Sequence, residues 1–315
     1  MKSPMSTVHF IFGMVLATST LVDCGAALAQ QTAAQVSPQA SQPGPIPPFK
    51  DDLFSRQTVL QSADGGAYKV IDYQEMRDIN QRDQEPEHRV KSAYVDLSVR
   101  RVQEDETLAL GEHPGEHKVD VTRVGPQAGE RFAVIFIHGR GGDRRLGAND
   151  YMFGGNFNRL KNLTARNGGT YYSVSVKSFD EAGAADVEAL VRYAFEQAAG
   201  QPVILACASM GGIICQNVVR DKETVRYLGG MVLLGGPPDP GLSTTPFAKL
   251  KLPLYFAHGS SDSVYKAEEQ IKVYRGLQAA GYPTRFTLFE TGSHGTPIRM
   301  VDWREVLNFV LISQK

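Results

Sequence analysis

The stretch VILACASMGG at residues 203–212 runs an apolar strand into a turn of small residues that carries Ser209, and the chain then restarts as the helical run IICQNVVRD. A short continuous apolar run suits a strand buried on both faces, and a helix starting directly after it requires a sharp reversal. That reversal lifts the serine hydroxyl above the strand end. A helix beginning just past Ser209 also aims free backbone N–H groups at an oxyanion formed there. The usual elbow of this kind reads Gly-x-Ser-x-Gly, and here Cys207 replaces the first glycine. Taken alone, the stretch is also compatible with a plain tight connection between a strand and a helix.

Working outward, strand and helix patterns alternate from residue 132 onward. FAVIFIH (132–138), YYSVSVK (171–177), VILACAS (203–209), MVLLGG (231–236), LPLYFAHG (252–259) and RFTLFE (285–290) read as strands. Helical periods fill 157–168, 184–200, 266–281 and about 302–312, and Val187, Leu190, Val191 and Ala194 recur at the spacing of a face packed on a sheet. The expected class is α/β, with a mostly parallel central sheet and helices on both faces. The gap between 231–236 and 252–259 is too short for a large cap. Loops 143–156 and 237–250 are then the segments able to shape access to the site. Upstream, AYVDLSVR (93–100) and KVDVTRV (118–124) read as half-exposed antiparallel strands, and 51–92 as turns and short helix.

A serine hydroxyl becomes a useful nucleophile only when a histidine accepts its proton and a carboxylate orients that histidine. Asp262 follows the strand LYFAHG, and His294 follows the strand RFTLFE. In a parallel sheet both would stand at the carboxyl edge that also carries Ser209. The order Ser209, Asp262, His294, together with the elbow and the sequence Ile137-His138-Gly139-Arg140-Gly141-Gly142, resembles the α/β-hydrolase superfamily over roughly 130–313. Its lidless esterases, carboxylesterases and dienelactone-hydrolase-like members are the most similar.

The resemblance implies Ser209 as nucleophile, His294 as general base and then acid, and Asp262 as orienting carboxylate. It also implies an oxyanion hole made by the backbone N–H groups of Arg140 and Met210, with Gly141 as the fallback in a loop of uncertain register. Glycine at 139 and 141 allows the close turn and exposed backbone that such a hole needs. Asp239, in GGPPDPG, is the rival acid, although its flanking prolines favour a turn role. His138 and His258 each precede a glycine at a strand end and read as anchors of the loops they introduce.

The remaining features bound the function. The chain has 315 residues and a formal net charge of −1, with scattered lysines and arginines, which argues against a nucleic-acid partner. Residues 1–29 read as an export signal with cleavage after Ala29, since the apolar run 10–22 is followed by Ala27-Leu28-Ala29. Asp23 makes a poor lipoprotein site of Cys24. Residues 30–49, rich in Gln, Ala, Ser and Pro, read as a disordered tether, and 50–315 as a single domain. No other run is long enough to span a membrane. Cys207 and Cys215 read as two small buried thiols, because one ends a strand and the other lies more than a turn into the next helix.

Glu112, His113, Glu116 and His117 could ligate zinc, but the Pro-Gly between them favours a solvated turn. The glycines and arginines of RGGDRR (140–145) lack the lysine and Ser/Thr of a phosphate loop. Arg140, Arg144 and Arg145 could still draw a carboxylate or phosphate on a substrate toward the site. The expected function is hydrolysis of a short-chain or acetyl ester, on a small molecule or an acylated glycan, in the periplasm or outside the cell, with no metal or organic cofactor. Thioester or amide cleavage uses the same three residues. A noncatalytic binding protein on the same fold is the alternative of a different class.

Overall fold

The computed structural model describes residues 44–313, apart from 85–88, 112, 114–115 and 127–128. The expected export signal, Cys24, Glu112 and the tether up to residue 43 lie outside the described residues.

The N-terminal part contributes α1 (Asp51–Phe54), β1 (Val59–Ala63), β2 (Tyr68–Ile71), α2 (Glu75–Arg82) and the short strands β3 (Asp83–Gln84) and β4 (Arg89–Val90). A hairpin of β5 (Gln103–Leu110) and β6 (His117–Val124) follows. Alternation then begins with β7 (Ala133–Ile137), α3 (Arg144–Ala148), α4 (Asn156–Arg166), β8 (Thr170–Val174) and α5 (Glu181–Gln197). Next come β9 (Val203–Ala208), α6 (Gly211–Val218), β10 (Leu228–Leu234), α7 (Pro246–Lys249) and β11 (Leu254–Gly259). The chain closes with α8 (Ala267–Ala279), β12 (Thr284–Phe289), α9 (Thr296–Met300) and α10 (Trp303–Ile312).

Ten strands form one sheet in the order β1-β2-β12-β11-β10-β9-β7-β8-β6-β5. From β2 to β8 every neighbour is parallel, and the antiparallel pairs lie at the two ends. The pleat sorts side chains into two cores. In β9, Val203, Leu205 and Cys207 join α5, α6 and α8 on one face, while Ile204, Ala206 and Ala208 join α4, α9 and α10 on the other. This is the mostly parallel, two-faced α/β architecture expected from the apolar strand pattern. Between β10 and β11 lie only a short 3-10 turn and the four residues of α7, so no cap domain is inserted there.

The region before residue 132 departs from the sequence reading. Segment 93–100 is not a strand, because it folds into 3-10 turns at Ser92–Tyr94 and Leu97–Val102, the second capped by Asp96 accepting from the Ser98 N–H at 2.9 Å. The hairpin partner of β6 is instead the acidic run QEDETLAL, which strand propensity disfavours. Ion pairs across the hairpin hold it in place: Arg123 reaches Glu106 at 2.7 Å and Glu104 at 2.5 Å. Those charges also blunt an edge strand. Within 51–92 the short helices are present, but β1 and β2 add to the sheet beside β12.

Within residues 44–49, assigned to the tether, Ile46 and Phe49 pack against the domain. Ile46 is buried, and its backbone bonds both ends of the Asn308 amide, at 2.8 and 3.2 Å. The N-terminal residues cover α4, a helix whose Asn156, Asn158, Arg159, Lys161, Asn162 and Thr164 are all buried. Arg159 pairs with Asp302 at 2.8 Å and Asp51 at 3.0 Å, Lys161 pairs with Asp150 at 2.8 Å, and Asn158 and Asn162 donate to the Asp96 carbonyl. Buried charges of this kind persist only when paired and hydrogen-bonded.

Candidate active site

The turn after β9 places Ser209 at φ 51°, a left-handed conformation that a non-glycine residue adopts only where the surroundings impose it. Its N–H donates to Leu234 O at 3.0 Å and its carbonyl accepts from Gly212 N–H at 2.9 Å, so the elbow is tied to β10 on one side and to α6 on the other. Two glycines are required by contact. A Cβ at Gly211 would lie 2.5 Å from Ile137 O, and one at Gly139 would lie 2.7 Å from Ser209 Cβ. The loop after β7 therefore runs directly against the serine.

His294 follows β12 and Asp262 follows β11, and the parallel register brings both to the strand ends beside Ser209. His294 Nε2 lies 2.8 Å from Ser209 Oγ, and His294 Nδ1 lies 2.8 Å from Asp262 Oδ2. Asp262 is 4% exposed, whereas Ser209 and His294 are half-buried and open to an incoming molecule. Asp262 Oδ1 accepts from the N–H groups of Val264 at 2.8 Å and Tyr265 at 3.0 Å. Burial opposes ionisation of Asp262, but hydrogen bonds from His258, His294 and these two backbone groups outweigh it and hold the carboxyl well below the usual range.

Met210 follows the serine in sequence and Arg140 follows Gly139, the residue packed against it, and neither N–H has a protein acceptor among the described residues. Gly142 N–H donates to Gly139 O at 3.1 Å, closing a tight turn in which Gly141 takes φ 75°. Asp239 is not part of this group, since it pairs with Arg220 at 2.7 Å and accepts from Gly241 N–H in its own loop. His138 anchors its loop as expected, with Nδ1 at 2.7 Å from Gly139 O and Nε2 accepting from Val176 N–H at 3.0 Å. Its burial lowers its proton affinity. His117 faces Asp186 at 3.0 Å.

A family model described as "Alpha/beta hydrolase family" matches residues 134–313. The chain belongs to the alpha/beta hydrolase family. No match is found among curated protein sequences. Among solved structures, a thermostable esterase aligns with a TM-score of 0.54 at 15% identity, covering 69% of this chain and 64% of that one. An esterase of Pyrococcus furiosus aligns with a TM-score of 0.49 at 14% identity, covering 67% and 92%. A serine hydrolase without a lid, from Xanthomonas campestris, gives 0.46 at 17% identity, covering 67% and 94%. Likeness at these identities speaks to the fold.

Two features of this alpha/beta hydrolase lie outside what its sequence suggested. Cys207 and Cys215, read as free thiols, form a disulfide with a Cα–Cα separation of 6.4 Å. The reversal at Ser209 folds α6 back along β9, so a residue one turn into the helix returns to the strand it left, within the span a disulfide bridges. The second feature is His258. Besides the Tyr265 carbonyl at 2.9 Å, its Nε2 reaches Asp262 Oδ2 at 3.2 Å. The spacing His258 to Asp262 was available as a signal, but only the bend after Gly259 turns the two side chains toward each other.

Proposed function

We propose that this alpha/beta hydrolase is a serine esterase in which Ser209 is the nucleophile, His294 the proton carrier and Asp262 the carboxylate that orients it. What carries the reading is the 2.8 Å contact of Ser209 Oγ with His294 Nε2, continued at 2.8 Å from His294 Nδ1 to Asp262. Ser209 Oγ attacks the ester carbonyl carbon as His294 Nε2 takes the hydroxyl proton. The carbonyl oxygen becomes an oxyanion, held by the free N–H groups of Arg140 and Met210. Collapse of the tetrahedral intermediate expels the alcohol, which leaves with the proton from His294. Water then attacks the acyl-enzyme, gives its proton to His294, and the acid departs as Ser209 recovers its hydrogen.

The short connection between β10 and β11 leaves the serine without an inserted cap, which favours a short acyl or acetyl ester on a small molecule or a glycan. Export of the chain fits the Cys207–Cys215 disulfide, because such bonds persist in oxidising compartments. The test is intact-mass detection of a fluorophosphonate adduct on the protein and on Ser209→Ala, with turnover of a p-nitrophenyl acyl series. One adduct, absent from the variant, and fastest turnover of the shortest chains are expected. A folded protein that takes no adduct would overturn the reading.

A further inference from the structure

His258 has no part in the proton transfers above, yet its Nε2 lies 3.2 Å from Asp262 Oδ2, beside the three donors from which this carboxylate accepts at 2.8 to 3.0 Å. Oδ1 takes the two backbone N–H groups of Val264 and Tyr265, while Oδ2 faces His294 Nδ1 at 2.8 Å and His258 Nε2 at 3.2 Å. The tautomer of His258 follows from its partners. Nε2 faces a carbonyl and a carboxylate oxygen, both of which only accept, so Nε2 carries a hydrogen shared between them. The His258 and Asp262 side chains are 1% and 0% exposed, so no solvent replaces that donor if it is removed. An acceptor left short of a donor in such a place turns toward another partner or loses its fixed rotamer.

The same N–H also holds the loop that carries the carboxylate. By donating to Tyr265 O it pins the turn from Asp262 to Tyr265, and the Tyr265 ring lies 5.8 Å, centroid to centroid, from the His294 ring. We propose that His258 is a positioning residue: through one shared N–H it fixes both the Asp262 carboxylate and the Tyr265 loop, and so sets the orientation of His294 toward Ser209. This rests on the serine-esterase reading above. It predicts that losing the donor slows chemistry at Ser209 more than it weakens substrate binding, because His258 touches no substrate.

The experiment compares wild type, His258→Leu, which removes the donor, and His258→Gln, which keeps an N–H of similar reach. Each is checked for folding by circular dichroism, and His258→Asn, too short to reach Asp262, replaces the leucine variant if that one does not fold. Measured are kcat and KM for p-nitrophenyl acetate, the rate of fluorophosphonate labelling, and the downfield proton resonance of His294 Nδ1–H. In His258→Leu, kcat and labelling are expected to fall about 10- to 100-fold, the scale on which a hydrogen-bonded support of a metal-binding histidine matters, with KM within about threefold. The downfield resonance should shift or broaden, and His258→Gln should recover most of both. A folded His258→Leu with kcat within about twofold of wild type, or a glutamine variant no better than leucine, would overturn the proposal. A wild-type protein that takes no adduct would instead sink the esterase reading itself.

Discussion

Gly139 leaves no room for a methyl group beside Ser209: a Cβ at 139 would lie 2.7 Å from Ser209 Cβ and 3.1 Å from its Oγ. Gly139→Ala must therefore displace either the serine or the loop that carries Arg140. Since an oxyanion-hole donor is worth about 10²- to 10³-fold in kcat, the variant is expected to lose activity on that scale while remaining folded. Steady-state kinetics beside a thermal melt checks it, and an alanine variant with wild-type kcat would show that the loop takes no part.

The depressed proton affinity of Asp262 has a consequence for stability. Below the unfolded value of about 3.9, the unfolded chain binds a proton that the folded carboxylate refuses, so the stability supplied by this group is complete above about pH 5 and is lost as the pH falls toward the lower folded value. Urea titrations between pH 6 and pH 3 should show a shallower loss for Asp262→Asn than for wild type. Parallel curves would mean that the carboxylate is not held by its donors. The same variant is expected to lower kcat by about 10⁴-fold at neutral pH, because an amide no longer selects the His294 tautomer.

The disulfide between Cys207 and Cys215 closes a loop of sequence separation 8, beside the elbow. Chain-entropy reasoning gives such a closure about 2–3 kcal/mol. The double variant Cys207→Ala/Cys215→Ala is expected to lose that much in urea unfolding, and wild type unfolded in reductant should match it. Identical unfolding of the wild type with and without reductant would refute the bond.

Arg140 is exposed and has no acidic partner among the described residues, whereas Arg144 lies 3.2 Å from Asp105 and Arg145 pairs with Asp143 at 2.5 Å. On the proposed esterase reading, an unneutralised cation on the residue after Gly139, which abuts Ser209, should favour esters with a negative group. Arg140→Gln should lower the ratio of kcat/KM for p-nitrophenyl hemisuccinate over p-nitrophenyl acetate by about 3- to 10-fold, and added salt should lower it in the wild type. An unchanged ratio would remove the arginine from substrate selection.

The strands from β7 onward were legible because each is a largely apolar run bounded by turn residues, and the approach of Ser209, Asp262 and His294 because each follows one of those runs. Their 2.8 Å approaches are what a shared parallel edge delivers. The hairpin partner of β6 was not legible, since QEDETLAL carries its strand signal in cross-strand pairs with Arg123 rather than in its own composition. β1 and β2 were missed for a related reason, as a two-stranded extension at a sheet edge, joined through β2 to β12, leaves little local pattern. The disulfide and the His258 contact both depend on how sharply the chain turns after a strand, which composition does not express.

The polar helix α4 sets a boundary on what can be cut away. Its Arg159 pairs with Asp51, its Lys161 bonds Gln103, and its Asn158 and Asn162 donate to the Asp96 carbonyl, all of them partners outside the segment that the family model recognises, 134–313. A fragment trimmed to that recognised segment would carry Arg159 without Asp51, β12 without β2, and β8 without β6. The part of this protein that is recognisable as a hydrolase is shorter than the part that has to fold together.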